Sequence, residues 1–295
     1  MLKRQSAVLP FLLCPGILLL VSSCSSGPSA PQMGTAEWYW AEANNMFTSG
    51  DLAKAQDRLD GALQKEGPIK PKAAVFQLVF LSGVALGNKE LGDAYDAGWE
   101  EVKETAKPAQ TAELRRLENA ANRASKASCM ALAQSLSNFL KDNANATEFS
   151  VEFAFPPETP GESPQLASVR KGTLPPEPEV RQMERATVKR GVVTQAASMV
   201  GAGGDLAKAA EMFKAQPVKV PRAVFLYGLA EGLFEEAKIF DQKRMNEPEL
   251  KRNLYLIALN CLKPASEAGD EGLKKKAKDL GDKIAKEQKS LPKVA

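Results

Sequence analysis

Gly50-Asp51-Leu52-Ala53-Lys54-Ala55 recurs 154 residues later as Gly204-Asp205-Leu206-Ala207-Lys208-Ala209. Gly50-Asp51 marks a turn, and a second helix follows it. Downstream, Leu52, Ala55, Leu59, Ala62 and Leu63 fall on one face at helical spacing, and Gly67-Pro68 stops the run. Upstream, Trp38, Ala41, Met46 and Phe47 give a cruder stripe starting near Thr35. The pair reads as an antiparallel helical hairpin. Ala74-Val75-Phe76 also recurs as Ala223-Val224-Phe225, 149 residues later, with Gly83 and Gly232 at the same offset. Matching order in both copies points to an internal duplication; coincidence between alanine-rich helices is the alternative.

The first hairpin resembles a tetratricopeptide repeat. The small, large, Gly-Asp, small, large and Ala-Leu positions of that family fall on Ala43, Met46, Gly50, Asp51, Leu52, Ala55, Leu59, Ala62 and Leu63, with Pro68 near the closing proline. Small residues would let the two helix axes approach while large ones fill the groove beside them. An unrelated helical hairpin remains open. The resemblance implies a concave surface lined by the first helix, where Glu37, Trp40, Asn44, Phe47 and Thr48 are the candidate partner-binding residues. Trp38, Trp40 and Phe47 have a second reading, as side chains that seal the core against the next helix. Family members that clamp peptide carboxylates use a lysine where Trp40 stands and an asparagine matching Asn44. Gly191, Thr194, Ser198 and Gly201 hold the same places in the second copy, which disfavours a clamp.

Further apolar stripes predict helices over residues 69–86, 89–106, 108–141, 178–200, 220–243, 248–263 and 268–289. Between the copies the pattern changes. Phe149, Val151, Phe153 and Phe155 alternate with Ser150, Glu152 and Ala154, a strand signal, and seven prolines follow between Pro156 and Pro178. Residues 149–178 are therefore expected as an extended arm or loose hairpin, with 166–174 as its second strand. The fold class is all-α: tetratricopeptide-like hairpins in two duplicated halves, 35–148 and 179–290, joined by this proline-rich arm.

The N-terminus sets the expected location. Lys3 and Arg4 precede an apolar run from about Ala7 to Val21 that is too short for a membrane span and is broken by Pro10, Pro15 and Gly16. Leu20-Val21-Ser22-Ser23-Cys24 resembles the lipobox of bacterial lipoproteins. That resemblance implies a signal peptide over 1–23, a diacylglyceryl thioether on Cys24, a flexible tether over 24–34, and membrane attachment in the cell envelope. Ser25 is not the aspartate that often retains lipoproteins in the inner membrane, so the resemblance favours the outer membrane, facing the periplasm.

Composition narrows the function. The 295 residues carry 39 basic and 36 acidic side chains and no histidine. Removing Lys3 and Arg4 leaves a near-neutral chain, which does not suggest a nucleic-acid partner. Histidine is the commonest general base and metal ligand, and none is present for a Ser-His-Asp or Cys-His arrangement. Cys129 and Cys261 are isolated, without zinc-ligand spacing; they read as small buried hydrophobes, with a disulfide between them left open. Gly201-Ala202-Gly203-Gly204 has no leading strand and no P-loop lysine. The expectation is a non-enzymatic scaffold without cofactor or metal that binds another envelope protein. The alternative is a lipoprotein holding a small apolar ligand between its helical halves.

Overall fold

Residues 30–156 and 161–292 are described by the computed structural model. The expected signal segment, Cys24 and the first part of the tether lie outside the described residues. Helix α1 (Ala36–Ser49) begins where Thr35 Oγ1 accepts the Trp38 amide at 3.2 Å. It ends at Gly50, whose φ of 80° lets its amide and that of Asp51 fold back onto the carbonyls of Phe47 and Met46. Asp51 then caps α2 (Leu52–Leu63) through the Lys54 amide.

The same device appears later with three more residues in the turn. Helix α6 (Glu177–Met199) ends where Gly201, at φ 81°, and Ala202 donate to Ser198 and Ala197, and Asp205 caps α7 (Leu206–Phe213) through the Lys208 amide. Gly201 thus takes the helix-ending place of Gly50. The repeated Gly204 belongs to the lengthened turn.

The expected pair of helices at 69–86 and 89–106 is one helix, α3 (Ile69–Val102). Its glycines serve packing rather than turning. A Cβ on Gly83 would lie 2.2 Å from Val192 Cα, and one on Gly87 2.5 Å from Val188 Cα. Both are therefore places where the α6 backbone presses directly on α3. Among the described residues α3 alone is long and apolar enough to cross a membrane, yet 61% of its most apolar stretch is buried within the protein. It is the central helix, flanked by α4 (Pro108–Asp142) and α6 and touched by α8 (Arg222–Glu236).

The second correction concerns residues 149–178. Strand β1 (Glu148–Val151) pairs antiparallel with β2 (Val218–Pro221), with Phe149 opposite Val220 and Val151 opposite Val218. The expected partner strand at 166–174 is instead a short helix, α5 (Pro164–Arg170), with Pro164 in its first turn and Leu166 and Val169 buried. Proline is tolerated there because its missing amide would be unpaired in any case. The arm is therefore not a linker outside two bodies. Phe149 packs with Phe139 and Phe225, and Phe153 packs with Phe47, Phe76 and Phe213, so one apolar core runs through both halves of the chain.

The chain closes with a 3-10 turn (Ala237–Phe240), α9 (Pro248–Ser266) and α10 (Glu271–Ser290). Buried Lys251 ties the three together, its ammonium 2.5 Å from Asp241 and 3.0 Å from Glu287. The protein is mostly helical: ten α-helices and two short strands among the described residues.

Candidate functional site

The five residues expected to line a recognition surface do not form one. Trp40 and Phe47 are buried, at 8% and 0% exposure. Trp40 meets Phe76 edge-on, and Phe47 lies between Phe76 and Phe153. Asn44 donates to the Trp40 carbonyl and accepts the Ala154 amide at 2.7 Å, so its side chain anchors the segment after β1. Only Glu37 and Thr48 are exposed. The face that a free hairpin would offer to a partner is covered by Phe76 of α3, which meets Trp40 and Phe47, and by Phe153, which stacks on Phe76 at 4.9 Å and meets Phe47.

A more open apolar site forms between α4 and α9. On α4, Cys129 points into the core, while Met130 and Ala133 sit beside it on the groove wall. On α9 the helical repeat Leu250, Asn253, Leu254, Ile257 makes the facing wall, with Leu256 at its rim and Phe240 below. Met130 and Leu256 are 51% and 50% exposed. The groove holds about 400 Å³. Lys126 pairs with Glu247 at 2.6 Å, bridging the two helices three residues before the first lining residue on each. The cue in the sequence was a surplus of large apolar residues off the buried stripe, Met130 next to Cys129 and Leu256 next to Ile257. A stripe drawn only for core packing passes over them.

Behind Cys129, inside the core, lies a buried polar cluster. Glu236, the last residue of α8, is fully buried. Ser82 Oγ of α3 donates to its Oε1 at 2.5 Å, and the Cys129 thiol donates to its Oε2 at 3.5 Å. Burial pushes the Glu236 carboxyl up to about 8, so its neutral form predominates at pH 7. The Cys129 thiol is raised well above its ordinary range by burial and by Glu236 beside it. A thiol held protonated is a poor nucleophile. Cys261 is likewise buried and free, its thiol pushed up to about 12 by burial. Among the described residues no group of three or more acidic or cysteine side chains is placed to hold a metal ion.

What the groove can do is take up an apolar group presented from outside. Its walls are aliphatic, its rim is half-exposed, and its one polar rim side chain is Asn253. Compared with protein-family models, curated proteins and solved structures, the chain has no significant match.

Proposed function

We propose that this chain is a lipid-anchored, non-enzymatic helical scaffold of the bacterial cell envelope, seating an amphipathic helix of another envelope protein in the groove between α4 and α9. The observation that carries this reading is the half-exposed apolar rim of Met130 and Leu256 over a groove flanked by two helices. Such a trough matches the apolar face of a third helix. The anchor reading rests on Leu20-Val21-Ser22-Ser23-Cys24. A diacyl cysteine supplies two chains, enough for stable attachment where one chain gives only reversible binding. Lipidation at Cys24, an outer-membrane location facing the periplasm and the absence of a nucleic-acid partner belong to this proposal. Descent from duplicated tetratricopeptide-like hairpins belongs to it as well. The matching glycine-ended helices and aspartate caps around Gly50 and Gly201 support that part.

Two measurements test it. Cys24→Ala should move the protein from the membrane pellet to the soluble fraction on cell fractionation; unchanged retention refutes the anchor. A photo-crosslinking side chain at position 130 of the lipidated protein, activated in native membranes, should give one stoichiometric protein adduct. Leu256→Asp should reduce that adduct at least about tenfold with the helical circular dichroism unchanged, since a charge in an apolar contact is strongly disfavoured. The apolar lining also favours a second reading, a small apolar ligand in the same groove. Recovery of a co-purifying small molecule, lost in Leu256→Asp and without a protein adduct, selects it over the scaffold.

A further inference from the structure

A second cleft lies between the last turn of α1 and the first half of α6. It holds about 560 Å³ and is lined by Thr48, Ser49 and Gly50 on one side and by Arg181, Arg185 and Lys189 on the other. The three cations recur every fourth residue, so α6 presents them along one face. One carboxylate, Glu177, shares the lining and is paired with Arg181.

The helix end opposite does not use up this charge. The Met46 and Phe47 carbonyls are satisfied by the backbone amides of Asp51 and Gly50. The hydroxyls of Thr48 and Ser49 donate back into their own helix. Lys189 donates to the Thr48 carbonyl at 2.7 Å, which engages one of the three protons of its ammonium. Burial lowers the Lys189 ammonium below its ordinary range, so it lacks solvation that an anion would replace. Arg185 makes no ion pair or side-chain hydrogen bond among the described residues, although it stands at the centre of the row. Its neighbours across the cleft include Asp51, whose carboxyl is held below the usual carboxylate range chiefly by Lys54 and is thus already engaged.

We propose that this cleft is a phosphate-binding site, in which Arg185 and Lys189 hold the phosphate oxygens and Arg181 contributes from the flank. Three cations against a single carboxylate suit a doubly charged or multiply accepting group better than a carboxylate. The guanidinium fork of Arg185 gives paired hydrogen bonds to two phosphate oxygens. The same chemistry is offered by a free phosphate or phosphomonoester and by the headgroup of an anionic phospholipid. The site is separate from the α4–α9 groove and does not depend on the scaffold reading.

The test titrates the full chain at low ionic strength with inorganic phosphate by calorimetry, and separately with phosphatidylglycerol and phosphatidylcholine vesicles by flotation, using Cys24→Ala to remove the anchor. Arg185→Gln and Lys189→Gln are compared with Lys276→Gln, an exposed cation on α10. Saturable phosphate binding weakened tenfold or more by Arg185→Gln, and unaffected by Lys276→Gln, supports a free-phosphate site. Vesicle binding that requires phosphatidylglycerol and is lost in Arg185→Gln, without affinity for inorganic phosphate, supports a headgroup site. Absence of both, indifference to Arg185→Gln, or equal competition by acetate at matched ionic strength overturns the proposal. Arg185 is exposed, so its replacement leaves the core intact.

Discussion

Phe153→Ala should lower the stability of the protein by about 3–5 kcal/mol, the cost of removing a fully buried phenyl ring from a site that cannot collapse around the gap. Phe153 is 2% exposed. It stacks on Phe76 at 4.9 Å and meets Phe47, Phe155 and Phe213 at ring-centre distances of 5.6, 5.7 and 5.0 Å. Phe47, Phe76 and Phe213 come from α1, α3 and α7, so the ring joins elements far apart in sequence. The backbone around it is pinned too: its amide donates to Gln216 Oε1 at 3.1 Å, and the Ala154 amide donates to Asn44. Neighbouring elements held this firmly leave a cavity rather than closing it. Urea denaturation followed by circular dichroism should show a midpoint shift of that size. Phe155→Ala, at a half-buried position stacked on Phe213, should cost clearly less. A Phe153→Ala protein within about 1 kcal/mol of the original would show that the segment after β1 is not part of the core.

Glu236→Gln should stabilise the protein, and by an amount that depends on pH. The folded carboxyl titrates near 8, against an ordinary value of 4.5. Below pH 4.5 it is neutral in both folded and unfolded chains and has no differential effect. Between about 4.5 and 8 the unfolded chain loses the proton while the folded one keeps it. Stability then falls by about 1.4 kcal/mol per pH unit for this group alone. Above 8 both states are ionised and the loss levels off. Glutamine keeps the shape and a partner for Ser82 without titrating. The advantage of Glu236→Gln should therefore be small at pH 4.5 and reach about 3–5 kcal/mol near pH 8. Parallel stability profiles for the two proteins from pH 5 to 8 would mean that Glu236 is not protonated in the folded state. The difference between the proteins isolates this group, since all other carboxylates and lysines are common to both.

Local signals in the chain decide the outcome where a few neighbouring residues suffice. The turn at Gly50-Asp51, Pro108 at the start of α4, and the spans of α6, α9 and α10 follow from side chains within one or two turns. The break expected near Gly87 failed because glycine marks both turns and close helix crossings. Which one holds depends on whether another backbone is pressed against it, and here α6 is. The partner of β1 was misplaced for a similar reason: alternation identifies a strand, but its pairing depends on which distant segment the helices bring alongside. Trp40 and Phe47 lie on the side of α1 that a lone hairpin would expose, and only the packing of Phe76 on both and of Phe153 on Phe47 shows that side to be covered.

From residue order alone come the helical character, the two glycine-aspartate turns and the motif around Cys24, because each rests on backbone preference or on a linear pattern. Tertiary packing alone decided that α3 is one central helix, that residues 149–155 complete the core, and that an apolar groove is left open between α4 and α9. These are outcomes of competition among segments for the same apolar surface, and that competition is settled by distances between residues remote in the chain.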